Sequence, residues 1–252
     1  MVRISILLFF LHFSVNRSVT IDEEKVINLG SKSCKLIRKG NLENRSLFLS
    51  LHDDENTSVV AFNEVSQSIG QPVLIELQQS GSRFIKYGYN GLEYSIDPNR
   101  IFTEIGLTST LKKYNKSFPN EVKESLIKFS KQLLELILPS DKKKYIVAIH
   151  NNSNDNYSAK SYVGNKDAEK IYMNPAEDVD DFFFVINQQD FEFFKAKKRN
   201  VILQSKQATD DGSFSIFCAR NSQAYINIEA QDGHKDVQKK MIKEAYELIM
   251  SK

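Results

Sequence analysis

What the chain of 252 residues lacks narrows its chemistry before any motif is read. It has no surplus of charge: 34 Lys and Arg stand against 32 Asp and Glu, a formal net charge of +2. Nucleic acids and acidic membrane surfaces attract proteins with a strongly basic face, so neither partner has compositional support. The runs Lys142-Lys143-Lys144 and Lys195, Lys197, Lys198, Arg199 are short clusters of the kind that make solvated faces. Past the first residues no stretch approaches transmembrane length, so stable membrane insertion of the mature chain is not expected. Only two cysteines occur, Cys34 and Cys218, far apart in sequence. They form one disulfide in an exported protein or stay as two buried thiols in a reducing compartment. Histidine is scarce too, with four in all: His12, His52, His150 and His234.

The length suits one large α/β domain with a substantial core. Met1-Val2-Arg3 followed by Ile4 to Val15 resembles a signal peptide, with one positive charge and an apolar stretch too short to span a bilayer. The expected organisation is a signal peptide over 1–18 and a single domain over 19–252. Ser14-Val15-Asn16-Arg17-Ser18 lacks a small-x-small cleavage pattern, which leaves an uncleaved anchor or a buried first strand as alternatives. Export places the protein outside the cell or in a periplasm, and without it the chain stays in the cytoplasm.

What the chain does have is concentrated at strand ends. Ser46-Leu47-Phe48-Leu49-Ser50-Leu51 reads as a buried strand and stops at His52-Asp53-Asp54-Glu55, after which Thr57 to Val65 reads as a helix. His52 and Glu55 are spaced i, i+3, so a tight turn brings both side chains to one point. An imidazole nitrogen and a carboxylate oxygen suit a borderline cation such as zinc; the bland alternative is a solvated acidic loop. A catalytic zinc takes three protein ligands and keeps a fourth position for water. His12 lies in an apolar run and His234 in a Gln-Asp-Gly-His turn, which leaves His150 as the best-placed third ligand. It too ends a strand, Lys144 to Ile149, and opens the polar loop Asn151 to Asn156. Loops leaving the carboxyl ends of neighbouring parallel strands meet at a topological switch point, where the two histidines can join.

Two further stretches carry polar groups in defined settings. Asp97-Pro98 enforces a non-helical turn, so Arg100 just beyond it is held rigidly. Its planar fork suits a carboxylate and Asn99 adds a directional hydrogen bond; the alternative is a structural Asx-type turn with an exposed arginine. Tyr225-Ile226-Asn227-Ile228 alternates as a strand and ends at Glu229, a candidate general base or simply a surface or capping residue. Elsewhere, Val122, Leu126, Phe129, Leu133, Leu134 and Ile137 recur at helical spacing across Asn120 to Leu138, a core-facing stripe, and Lys235 to Ser251 reads as a closing helix. Gln78 to Tyr94 reads as a loop containing the turn Asn90-Gly91.

Taken in order, His52-x-x-Glu55, Asn99-Arg100, His150 and Glu229 resemble the pattern of the zinc carboxypeptidases related to carboxypeptidase A, over roughly residues 46 to 235. The resemblance implies an α/β fold with a mixed, mostly parallel eight-stranded sheet flanked by helices. It implies one Zn2+ per chain on His52, Glu55 and His150, with Glu229 as general base for a zinc-activated water. Asn99 and Arg100 would hold a free carboxylate of the substrate, and Arg83 would stabilise the oxyanion. The tyrosine usual before the base in the peptidase branch has no clear counterpart, Phe214, Phe217 and Tyr225 filling that region. Asp97-Pro98-Asn99-Arg100 equally resembles the succinylglutamate desuccinylase and aspartoacylase branch. The implied substrate is thus a peptide or an acylated amino acid, and a non-catalytic domain that binds a peptide carboxylate is the reading from another class.

Overall fold

The computed structural model describes residues 19–252; the segment read as a signal peptide lies outside them. Strands β1 (Thr20–Leu29) and β2 (Lys32–Asn41) form a hairpin, followed by β3 (Ser46–Ser50), α1 (Asn56–Val65) and β4 (Val73–Gln78). Then come β5 (Ile85–Tyr89), β6 (Leu92–Ile96), α2 (Glu104–Tyr114), α3 (Asn120–Ile137), β7 (Tyr145–Asn152) and β8 (Ala168–Tyr172). The chain closes with β9 (Phe182–Val185), α4 (Gln188–Ala196), β10 (Val201–Gln204), α5 (Phe214–Asn221), β11 (Tyr225–Gln231) and α6 (Lys235–Met250). No helix among the described residues is long and apolar enough to cross a membrane.

One mixed sheet has the order β1-β2-β4-β3-β7-β11-β9-β10-β8. It has nine strands where the resemblance implied eight, and the lead-in before residue 42 is a hairpin, β1 and β2, that forms one edge. Four of its eight pairings are parallel, and three of these are consecutive in the central run β4-β3-β7-β11. Every residue of β3 and β7 is buried, as expected for apolar runs covered on both faces, whereas edge strand β1 is buried at only two positions.

Helices cover both faces. On one, Phe48, Val147, Ile149 and Ile228 pack with Phe62 of α1, Phe194 of α4 and Met241 and Ile242 of α6. On the other, Leu47, Leu49, Ile146 and Ala148 pack with Leu107 of α2, Leu126 and Phe129 of α3 and Phe214 and Cys218 of α5. Cys34 and Cys218 are both buried in this second layer as free thiols. The segment 78–94 is not a plain loop: β5 and β6 pair across Asn90-Gly91, whose φ values of 49° and 75° are those of a type I′ turn. Short helices α2 and α5 lie where no helical stripe stands out in the sequence. The polar ends of β3, β7 and β11 emerge together at the carboxyl edge of the parallel run.

Candidate metal centre

Residues at the end of β3 fold back on themselves. Glu55 N–H donates to the His52 carbonyl at 3.3 Å, closing a turn that puts the two side chains on one side. Glu55 stands at the N-cap position of α1, where a carboxylate ordinarily accepts a helix N–H. It makes no such bond; Asn151 Oδ1 accepts the Ser58 N–H instead, at 2.8 Å. The Glu55 carboxylate is thereby free to face two imidazoles, with Nδ1 of His52 and Nδ1 of His150 each 2.7 Å from it.

The three side chains are 2%, 5% and 2% exposed in the order His52, Glu55, His150, and one donor atom from each lies within 4.8 Å of the others. Their ring orientation is set from behind, because His52 Nε2 is 3.0 Å from Asp97 Oδ1 and so donates its proton there, turning Nδ1 inward. The two Nδ1 atoms are 3.2 Å apart. Two imidazole nitrogens bound tetrahedrally to one zinc stand about 3.3 Å apart, from zinc–nitrogen bonds of roughly 2.05 Å. The donor set, its burial and this spacing therefore fit a metal ion of the zinc type. In the metal-free cluster burial opposes charge on His52, but the neighbouring carboxylates of Glu55 and Asp97 outweigh it and push the imidazole up to about 9. Burial likewise opposes ionisation of Glu55, yet the two imidazoles hold it well below the usual carboxylate range.

Arg83 reaches the centre from the segment before β5, with Nη1 2.9 Å from Glu55 Oε1 and Nη2 3.8 Å from Asp97 Oδ2. Its approach is fixed by Asp53, whose Oδ2 accepts the backbone N–H groups of Gln79, Ser80 and Gly81 at 2.7, 2.7 and 2.5 Å. Asn99 and Arg100 lie in a short helical turn, Pro98–Arg100, capped by Asp97, whose Oδ1 accepts the Asn99 N–H at 2.9 Å. Asn99 Oδ1 accepts the Phe214 N–H at 3.1 Å, and its Nδ2 lies 3.4 Å from His150 Nε2. Arg100 Nε faces Asp211 at 3.3 Å. That pairing depends on a close backbone approach, since a Cβ on Gly106 would meet Gly212 N at 1.9 Å. Glycine at 106 and 212 lets the 209–213 segment press against α2 and deliver Asp211.

Glu229 is level with His150 on the adjacent strand and 7% exposed. Asn227 Nδ2 donates to its Oε1 at 3.0 Å, and burial raises its pKa above the ordinary glutamate range. All seven site residues named from the sequence, His52, Glu55, Arg83, Asn99, Arg100, His150 and Glu229, line one cavity of about 500 Å³. Sequence reading missed several neighbours. Tyr157 and Tyr162, whose hydroxyls bond each other, and Gln204 line the same cavity from segments with no motif. The partnership of Asp97 with His52 was signalled only by the rigid Asp97-Pro98 turn.

The backbone is similar to that of an aspartoacylase family protein from Mesorhizobium loti, at 13% identity and a TM-score of 0.45, over 93% of this chain and 68% of that one. It is also similar to the apo cell shape determinant protein Csd4 from Helicobacter pylori, at 12% identity and a TM-score of 0.46, over 86% of this chain and 54% of that one. No family model matches the chain, and no curated protein does. These likenesses concern the course of the backbone and say nothing of which bond is cut.

Proposed function

We propose that this chain is a zinc-dependent hydrolase of the carboxypeptidase type, holding one Zn2+ and cutting an amide bond next to a free carboxylate. The observation that carries the reading is the convergence of three buried donor atoms, on His52, Glu55 and His150, in the cavity that also holds Glu229 and Arg100. When bound, zinc supplies Lewis acidity, polarising a carbonyl and making water a nucleophile near neutral pH. The chain's own groups do the rest.

Glu229 is the proton carrier. Burial keeps its pKa above that of a free glutamate, closer to working pH, where a carboxylate can take a proton from water and return it to a leaving amine. Asn227 holds one carboxylate oxygen and so aims the other. Arg100 offers a planar fork to the substrate's carboxylate, and Asp211 keeps that fork oriented until substrate arrives. Asn99, pinned through Phe214 N–H, completes that subsite. Arg83 sits against Glu55 with its side chain 39% exposed, so it can follow negative charge developing on the carbonyl oxygen. A peptide and an acylated amino acid present the same amide and carboxylate, and both belong to the substrate class.

The test compares zinc-loaded protein on matched peptides with free and amidated C-termini, before and after chelation. Cleavage confined to free C-termini, lost on chelation and regained with zinc, is expected. Equal cleavage of amidated peptides would remove Arg100 from its role. Absence of any cleavage of peptides or acylated amino acids by loaded protein would leave a carboxylate-binding domain.

A further inference from the structure

Charge on the cavity is unevenly met. Six carboxyl groups line it, those of Asp54, Glu55, Asp167, Asp211, Glu229 and Asp232, against two guanidiniums, Arg83 and Arg100. Negative charge stays in excess even with Zn2+ on Glu55 and a proton on Glu229, and a cavity so charged attracts cations. Three of the six have no cation beside them among the described residues. Asp54 is exposed, Asp232 accepts the Thr57 hydroxyl at 2.5 Å, and Asp167 Oδ1 accepts the Thr209 N–H and hydroxyl at 2.7 and 2.9 Å. Asp211 does have one, Arg100 at 3.3 Å, yet that is the group a substrate's carboxylate must take over. Through Thr209, two residues before Asp211, Asp167 belongs to the same wall. Tyr225 at the start of β11 also lines the cavity; it is 1% exposed and packs edge-on against Phe214. Its hydroxyl has no hydrogen-bond partner among the described residues and, unlike Gln204 Oε1 and Asn227 Oδ1, is not sealed from the cavity. Burial raises its pKa well above the usual phenol range, so it stays neutral, and the charges of Glu229 and Arg100 both act on it.

We propose that the resident Arg100–Asp211 ion pair opens by partner exchange, so that the cavity selects a substrate residue carrying both a free carboxylate and a basic side chain, an ammonium or a guanidinium. The carboxylate half of the exchange rests on the hydrolase reading's use of Arg100; the cation half rests on the charges alone. When a substrate carboxylate takes the Arg100 fork, Asp211 loses its partner, and an ionised group left unpaired in a partly enclosed site is unfavourable. A basic side chain on the same residue restores the pair, with Asp167 as a second acceptor on that wall and the Tyr225 oxygen as a neutral one. A hydrocarbon side chain leaves Asp211 unpaired. A second carboxylate adds to the excess of negative charge, and a carboxamide brings donors without charge. Tyr162, Phe184 and Ile216 give the cavity apolar surface for the methylenes of a lysine or arginine stem. The expected preference over an isosteric hydrocarbon is about 10-fold, the low end of what a charge-assisted hydrogen bond contributes, because the Asp211 side chain is 45% exposed.

The experiment is calorimetric binding of the Nα-acetyl derivatives of lysine, norleucine, glutamine and glutamate, all with a free carboxylate for Arg100, to zinc-free and zinc-loaded protein, with cleavage of peptides ending in the same residues. Lysine should lead norleucine by the stated factor, with glutamate weakest, and the lead should shrink as salt rises. Asp211→Asn and Asp167→Asn should each reduce the ratio of lysine to norleucine affinity with zinc content unchanged. A merely structural role would lower both ligands alike, and an unchanged ratio in both variants would overturn the exchange. Equal binding of the four ligands by the unaltered chain, or a lead for glutamate, would overturn the proposal whether or not the variants fold. Lysine preference without any cleavage would sink the hydrolase reading and leave the recognition standing; cleavage indifferent to the side chain would do the reverse.

Discussion

Two carboxylates lie buried near opposite ends of β7, and they are solved differently. Asp190, fully buried below Tyr145 at the start of the strand, is surrounded by donors: the Tyr145 hydroxyl at 3.2 Å from each of its oxygens, the Lys252 ammonium and the Asn187 amide. Donors meet acceptors there, and the cluster is complete within the chain. Glu55, near His150 at the other end, faces two imidazole nitrogens at 2.7 Å that are themselves 3.2 Å apart. With its Nε2 proton directed at Asp97, a neutral His52 points its Nδ1 lone pair at the Glu55 carboxylate, and a shared cation satisfies both. Protonating an imidazole is one way to supply it, as the raised His52 shows; a metal ion is the other. Burial of a carboxylate is therefore not in itself a sign of function, and the kind of atom turned toward it is.

The contrast can be broken by mutation. Glu55→Ala should weaken zinc binding by about 10²–10³-fold, the share of one ligand in a site worth some 10–16 kcal/mol, measured by competition with a chromophoric chelator. Asp190→Ala should leave zinc affinity alone yet lower stability by about 2–3 kcal/mol in urea unfolding, below the full cost of breaking a buried pair because Lys252 is partly exposed. If the two variants trade phenotypes, the contrast is wrong. Asp97→Asn keeps the shape but removes the negative charge that holds the His52 Nε2 proton, and should cost about 10–100-fold in zinc affinity. The smallest effect concerns Glu229. Its folded pKa is raised, so its ionised form is destabilising above that pKa, and the penalty vanishes when pH falls below the unfolded value. Zinc-free Glu229→Gln should therefore melt higher than the unaltered chain at pH 7, by roughly 2–4 °C per kcal/mol, with the difference closing towards pH 4.

The cluster of His52, Glu55 and His150 was legible because chain direction alone carries it. His52 and His150 each end an apolar run long enough to be a central strand, and such strands lie side by side in parallel sheets. Glu229 follows from the same logic, and α3 from an eighteen-residue stripe with no competing pattern. What stayed hidden depends on contacts far apart in sequence. The clamp of Asp53 on the backbone of residues 79–81 positions Arg83 across 26 to 28 residues, and the Gly106 and Gly212 approach delivers Asp211 to Arg100. Helices α2 and α5 have eleven and eight residues, too few turns for a stripe to stand out, and β8 is an edge strand with no fully buried position. Gln204 looks like an ordinary strand-end glutamine until the sheet places it on the cavity that also holds Glu229.

Central to all of this is one shared cation between His52, Glu55 and His150. The direct measurement is anomalous X-ray scattering across the zinc edge from crystals of zinc-reconstituted protein. The account predicts a single strong peak within bonding distance of both Nδ1 atoms and the Glu55 carboxylate. A peak elsewhere, or none at this cluster in zinc-saturated crystals, would contradict it.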